Sequence, residues 1–586
     1  MTAPAGTRSE TSAFSLKVNG AELPPGELGQ VVDLTIEQDL ILPDAFTIRL
    51  RDIADEPGQL HQVSFPILNR QPPRFGVGSS VELGLGHEEQ PDRVLRGEIT
   101  SLELDARGDG SPMLTVRGYD LAYRMHRQRK SKSFRNVSDA DIASTIARDY
   151  GLSVEADATP AVHEHVMQDN MTDWQFLRQR ANRVGYELFV DMVGKKLVFR
   201  KPTAKKASVQ QFGDNLRHLH LRMSAPAQVD TVVVQGWDPS AKRAIEGRAS
   251  SPSSRVQVDG DSARKDAAGK LGGGTFVLTN QPVRTKSEAD ALAQSVLDEI
   301  AGDFLQLEGE CLGDPGLRPG QTVRFENLGA RFDHEYYLSA ATHRLSPGQG
   351  YVTHFVVSGR QPQTLTALLG GGSGASATDS SRHGNNGRNG VVVGLVTNNK
   401  DSDLGGRVKV KFPWLGDDES HWARLASPGA GTARGLYLVP EVGDEVVVAF
   451  EHGDVNHPYV LGSLWNGRDN PPKRADDVID GSGQVTQRIL QSRLGHVVTL
   501  DDSMDKPSIT IVDKTGHNRI ELDSTTNKLC IKVDGDISIE APRGQISIKG
   551  MSVSVEATTS MSVKGASAEF NANATLNLKG AMVNVN

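Results

Sequence analysis

The last hundred residues constrain this chain most. The stretch "GDISIEAPRGQISIKGMSVSVEATTSMSVKG", residues 535–565, alternates apolar and polar residues, turns on a few small ones, and begins again. Each unit reads as one short strand with two residues on its inward face. The inward pairs run Val498/Leu500, Ile509/Ile511, Ile520/Leu522, Leu529/Ile531, Ile537/Ile539, Ile546/Ile548, Val553/Val555, Met561/Val563, Ala568/Phe570, Leu576/Leu578 and Val583/Val585. The steps between them are 11, 11, 9, 8, 9, 7, 8, 7, 8 and 7 residues. A longer period rides on this one: "IKG", "VKG" and "LKG" place Lys549, Lys564 and Lys579 fifteen residues apart, with "IEA", "VEA" and "FNA" between them. Repeats of this kind mark a β-solenoid or an intertwined β-helix.

Two apolar residues per strand cannot wrap a core for a single chain. Three chains wound together remove the difficulty. Each supplies one side per layer, the inward pairs meet on a common axis, and no lateral strand edge is left open. The sequence therefore predicts a trimer core formed by Ile537, Ile539, Ile546, Ile548, Val553, Val555, Met561, Val563, Leu576, Leu578, Val583 and Val585. Burying each such side chain contributes roughly 1.5–3 kcal/mol before the entropy of ordering is subtracted. An amyloid-like segment fits poorly, because Gly and charged residues interrupt every strand. The shortening steps predict a shaft that narrows toward "NVN" and ends bluntly there.

Length and charge narrow the rest. At roughly 150 residues per domain, 586 residues suggest about four domains. With 64 Lys+Arg against 73 Asp+Glu the net charge is -9, which argues against a nucleic-acid or anionic-membrane binder. The two cysteines, Cys311 and Cys530, read as small buried apolar residues and not as a disulfide framework. The start, "MTAPAGTRSE", has neither the basic nor the apolar region of a signal peptide. No apolar run reaches the roughly 18 residues that span a bilayer. The expectation is cytoplasmic synthesis, with any exit by another route.

Residues 1–368 read as a mainly β domain. Short alternating bursts ("FSLKVNG", "VVDLTIE", "AFTIRLRD", "MLTVRGYDL") are bounded by Gly, Pro and Asp. Two helices interrupt them: 138–152 with Ser138 as N-cap and Ile142, Ile146 and Ala147 on one face, and 172–190, opened by Thr172, with Trp174, Leu177 and Ala181 in a stripe. Another follows near 287–303. The architecture expected is two barrel-like β subdomains with a small α/β insert. Residues 369–390 are a Gly/Ser/Asn linker unable to bury a core. Residues 391–470 hold five short strand signals, which suit an OB-fold barrel. Trp414, Trp422 and Trp465 lie here, and the aromatics are expected to fill the barrel and the trimer contacts. Residues 471–586 form the β-helical needle.

These pieces resemble the hub-and-spike proteins of contractile injection machines: the VgrG proteins of type VI secretion, spikes of extracellular phage-tail-like particles, and baseplate hubs of contractile phages. The resemblance rests on "GYDLAYRMHRQRKSKSFRNVSDADIASTIARDYGL" (118–152), "TDWQFLRQRANRVGYELFV" (172–190) and, most specifically, on "GLVTNNKDSDLGGRVKVKFPWLGDDESHWARLASPGAG" with "GLYLVPEVGDEVVVAFEHGDVNHPYVLGSLWNG" (394–467). It implies a homotrimer whose hub meets inner-tube and baseplate proteins. It further implies a needle that presents a PAAR-type tip protein or effector cargo and punctures a target envelope. The length and bare C-terminus favour an extracellular particle or prophage over an effector-bearing type VI spike.

No catalytic, cofactor or metal site emerges, and the sequence predicts a protein that is not an enzyme. Only about 20–30 residues separate "LGSLWNG" from the first repeat strand, too few for the lysozyme domain of some phage relatives. In "AVHEHVM", His163 and His165 share one strand face but do not make HExxH, and a solvated loop is the expectation. "NKDSDLGG" (399–406) has Leu404 where a calcium loop needs Gly, so a hairpin turn is expected. "GGGSGAS" precedes no helix and is not a nucleophile elbow. The basic run "RMHRQRKSKSFR" (124–135) is expected to face a partner subunit or acidic protein surface. Residues 386–470 count 8 Lys/Arg against 11 Asp/Glu, so the barrel offers no groove for a phosphate backbone. The competing reading is a secreted cell-wall hydrolase or adhesin on a β-helical stalk.

Overall fold

The computed structural model describes residues 12–52, 65–87, 91–106, 112–159, 161–191, 193–203, 206–253, 262–357, 390–413, 416 and 418–585. Trp414, the stretch "GGGSGAS" and all of the expected linker except Gly390 lie outside the described residues. The chain divides into two units, Met1–Asn466 and Gly467–Asn586.

Alternation builds the first unit. In Ala45–Arg51, Phe46, Ile48 and Leu50 are buried and the residues between them are not, because successive side chains leave a strand on opposite faces. Strands of this type join one antiparallel eleven-stranded sheet. Its order is Leu216–Met223, Leu305–Leu312, Gly350–Val357, Ala340–Ser346, Val31–Asp39, Ala45–Arg51, Met113–Asp120, Asp92–Asp105, Ser80–Gly86, Ala13–Val18 and Ala21–Glu22. The two barrel-like regions expected from sequence thus share one sheet. They meet where Val31–Asp39 pairs with Ala340–Ser346, with Leu34 opposite Leu345. Each keeps its own core, one around Leu34, Phe46, Val81 and Val116, the other around Leu216, Leu307, Phe325 and Phe355. Each also covers a strand glycine with the ring of its cross-strand partner: Phe46 on Gly118, and Phe355 on Gly309. A Cβ on Gly118 would lie 2.4 Å from the Phe46 ring and 2.0 Å from the Glu98 carbonyl, so no larger residue fits there.

The α/β insert is locally specified. Ser138 and Thr172 each close a reciprocal capping box, with Asp141 and Gln175, and so start the helices Asp139–Asp149 and Asp173–Val184. The predicted stripes are buried: Ile142, Ile146 and Ala147 in one helix, Trp174, Leu177 and Ala181 in the other. They pack on Leu188, Leu197 and Phe199 of a small sheet. A two-stranded ribbon, Arg129–Ser138 against Val162–Thr172, lies beside them. The third predicted helix is Lys286–Gly302, and it buries Ala289, Leu292 and Val296 against Val232 and Val234.

The OB-fold is a closed five-stranded barrel of Val391–Asn398, Arg407–Lys411, Ala423–Leu425, Pro458–Ser463 and Glu445–Phe450. Val396, Val408, Val410, Val446, Val448 and Val460 fill it. Aromatic filling comes from Phe412 and Phe450, centroids 5.6 Å apart, and not from Trp422 or Trp465. Trp422 lies under the cations of Arg407 and Lys409, and Trp465 is exposed. Residues 399–406 make the hairpin turn expected: Asp401 accepts hydrogen bonds from Arg407, and Gly405 and Gly406 adopt the positive φ that the reversal needs.

The second unit corrects one expectation. The pairs at 498–531 do not each pass to a neighbouring chain. They fold back on themselves as an antiparallel meander, Gln487–Gln491, Val497–Asp501, Ser508–Val512, Arg519–Asp523 and Lys528–Lys532. The turns explain it. Between these strands the chain has room for Asx-type reversals at Asp513 and Asp523, with Gly516 and Asn527 at positive φ. Beyond Lys532 the pattern stops, and no strand pairing occurs among residues 533–585. Cys311 is buried as expected; Cys530 is only half-buried, and both are free thiols.

Candidate assembly surfaces

A joint inside the first unit fixes the barrel to the hub. Both edges of the ribbon are capped by barrel side chains. The Ser133 amide donates to Asp418 Oδ2 at 2.7 Å, and the Met167 amide donates to Asn456 Oδ1 at 2.7 Å. Met167 itself belongs to the barrel's apolar core. Arg284 reaches Glu451 at 2.6 Å, and His421 reaches Glu164 at 2.9 Å. A cleft of about 560 Å³ remains between insert and barrel, lined by His163, His165, Arg183, Arg407, Trp422 and Tyr459 among others.

The two histidines singled out in the sequence lie in this joint and not in a solvated loop. His163 Nε2 accepts from Arg180 at 2.7 Å and lies 3.3 Å from Asp139. Arg180 Nε donates to Asp139 Oδ1 at 2.6 Å, both side chains being buried. Burial pushes the Asp139 carboxyl up, but the Arg180 charge, contact with the His163 ring and the Arg180 hydrogen bond outweigh it and hold it at about 2. His165 Nε2 faces the Glu419 carbonyl at 3.1 Å; burial, with His421 nearby, lowers its pKa to about 4. Across the cleft, burial pushes the Asp454 carboxyl up, yet contact with the His457 ring and the charge of Arg183 hold it well below the usual range. Among the described residues no group of His, Cys, Asp or Glu is placed to hold a metal ion.

Three cations of the basic run are paired within its own chain. Arg124 pairs with Glu98 at 2.6 Å, Lys130 with Asp173 at 2.6 Å, and Arg135 with Glu419 at 3.5 Å. Charges committed this way position the insert. A second set of ionisable groups carries no local sequence signature at all. Asp44 and Asp120 come together beneath the first sheet, where burial pushes Asp44 up to about 7. Burial, with Asp44 beside it, pushes Asp120 up as well.

Among the described residues, two of the exposed apolar surfaces follow the strand register. On the barrel, Val391, Val393 and Leu395 point outward beside Val447 and Ala449 of the neighbouring strand. The larger surface is in the second unit. Register aligns Leu490, Val498, Ile511, Ile520 and Ile531 in one cross-strand row, and Leu500, Ile509, Leu522 and Leu529 in a second row on the same face. All are exposed, from 36% at Val498 to 61% at Leu529. The twelve residues predicted as a trimer core, Ile537 to Val585, are 51% to 85% exposed within the unit. Apolar area of this extent is far beyond the scattered exposure normal for a monomer.

A family model described as the Alg8 N-terminal domain matches residues 8–347. A second, the type VI secretion system/phage-baseplate injector OB domain, matches residues 392–465. The chain is 35% identical over 92 residues to the type VI secretion system spike protein VgrG3 of Vibrio cholerae, covering 15% of this chain and 9% of that one. It is 29% identical over 144 residues to the spike protein VgrG2a of Pseudomonas aeruginosa, covering 23% and 17%. The chain thus spans a small part of these curated relatives. Among solved structures, the lidded PdpA–VgrG complex of Francisella is similar in fold, with 9% identity over 90% of this chain and 81% of that one and a TM-score of 0.50.

Proposed function

Because the chain belongs to the Alg8 N-terminal domain family and is a spike protein of the VgrG kind, we propose that it is the homotrimeric central spike of a contractile injection apparatus. In this reading the hub joins inner-tube and baseplate proteins to a membrane-puncturing needle. The needle presents a PAAR-type tip protein or effector cargo. The role is mechanical and not catalytic. The chain is made in the cytoplasm and assembled into a phage-tail-like particle that is released and driven into a target envelope. One observation carries the proposal: the second unit exposes the two apolar rows of its meander and then twelve further apolar side chains, with no partner of its own to cover them. Threefold self-association buries all of them and pairs the strands of 535–585 that are unpaired in one chain. Sedimentation of the full chain tests it. A mass three times that of the 63.2 kDa chain is expected, with amides of 535–585 protected from exchange. A folded monomer with those amides protected would overturn it.

A further inference from the structure

The outward face of the needle repeat holds a second pattern that apolar burial does not explain. The last outward residue of successive units is Glu540, Lys549, Glu556, Lys564, Asn571 and Lys579, each directly after an inward residue. The signs alternate for four units. In the fifth the acid moves one outward position back, to Glu569. Among the described residues none of these glutamates and lysines forms an ion pair.

Symmetry says where such residues meet. If each of three identical chains supplies one side per layer, units of equal number lie at one level on three faces. Each chain then climbs to the next face. Going up any one face, unit n of one protomer is followed by unit n+1 of a neighbour. Adjacent strands therefore always belong to different chains, roughly 4.8 Å apart. We infer that the alternating Glu540, Lys549, Glu556 and Lys564 form interchain ion-pair rows with two further copies of this chain and set the axial register of the three protomers. The inference rests on the homotrimer reading. From Ile537 to Val563 the inward pairs are nearly interchangeable Ile, Val and Met, so this stretch accepts a slip of one unit with little loss. The outward charges do not: such a slip places Glu beside Glu and Lys beside Lys on every face, which is unfavourable. A slip of two units restores the signs but strands two layers of apolar residues at each end.

Two experiments on the full chain test this. In the first, Glu540→Lys with Glu556→Lys is compared with Lys549→Glu with Lys564→Glu, and with the fourfold exchange. Each double reversal should shorten the half-life of the trimer in dodecyl sulfate by about tenfold or more, and the fourfold exchange, which restores alternation with opposite signs, should recover most of it. High salt should shrink the differences. In the second, Ser547→Cys with Ser554→Cys places two thiols on neighbouring strands of one face, within disulfide reach only across chains. Oxidation should give a covalent trimer on a non-reducing gel. If the wild type sediments as a trimer, yet the reversals leave its half-life unchanged or the paired thiols link only within one chain, the register inference is wrong. If the wild type is a monomer, it is the homotrimer reading that fails.

Discussion

The substitution Val555→Asp probes the proposed needle most sharply. Val555 is 67% exposed within its own unit. Full burial of a valine is worth roughly 1.5 kcal/mol, so its remaining share on assembly is about 1 kcal/mol per protomer and about 3 kcal/mol per trimer. The carboxyl group costs more. Threefold symmetry puts three of them at one level of a dry column, where keeping them ionised is unfavourable by several kcal/mol each. Protonation caps that penalty: at pH 7, neutralising an aspartate of pKa about 3.9 takes about 4 kcal/mol, or about 12 kcal/mol for three. The total, about 15 kcal/mol per trimer, matches the whole stability of a well-folded domain. At pH 7 the variant should therefore sediment as a monomer at micromolar concentration, with 535–585 open to hydrogen exchange. At pH 4, where about half the carboxyl groups are already neutral, association should partly return. The control is Ser554→Asp, one residue away on the outward face, which should remain trimeric. If Val555→Asp keeps wild-type mass and protection at pH 7, Val555 does not face a shared axis, and the inward assignment of every unit falls with it.

Further outcomes follow from the first unit. Arg180→Leu removes the guanidinium from the buried Asp139 and should cost about 3–5 kcal/mol in urea denaturation, with Arg180→Lys intermediate; an unchanged midpoint refutes the role of that pair. Asp44 has its folded-state pKa raised from 3.8 to about 7 by burial, so its ionisation works against folding. The wild type should lose stability as pH rises from about 4 through about 7, and Asp44→Asn should lose less, so that the gap between their melting temperatures widens with pH. A gap that does not change with pH would contradict this. Thr172→Ala removes the hydrogen bond to the Gln175 amide and should cost about 1 kcal/mol, read by thermal unfolding.

Local features were legible because local physics decides them. A Ser or Thr that trades hydrogen bonds with the residue three ahead closes a helix start within four residues, and both insert helices begin at the residue the sequence named. Period-two alternation names the buried face of a strand, and Phe46, Ile48 and Leu50 lie where it places them. The same alternation is silent on partners. Val498/Leu500 and Val553/Val555 look alike, yet the first pair lies in a strand hydrogen-bonded within its own chain and the second in a stretch that is not. Step length alone does not separate them: the reversal from Ile520/Leu522 to Leu529/Ile531 takes nine residues, and so does the step from Ile537 to Ile546, where no pairing forms. The histidines were noticed, but their partners Asp139, Arg180 and Glu419 were not, because nothing in "AVHEHVM" points to residues on other elements.

By itself, then, the amino-acid order determined the strand-rich class, the helix starts, the barrel and the surplus of apolar residues in the last hundred positions. Each of these follows from interactions between residues close in the chain, or from a repeat that needs no partner to be recognised. Tertiary structure alone decided that Val31–Asp39 meets Ala340–Ser346 to make one sheet of eleven strands, that Asp418 and Asn456 cap the ribbon, and that Asp44 lies half-buried beside Asp120. These contacts join residues far apart in sequence. Their energies depend on distance, burial and the neighbouring charge, none of which exists until the chain has closed on itself.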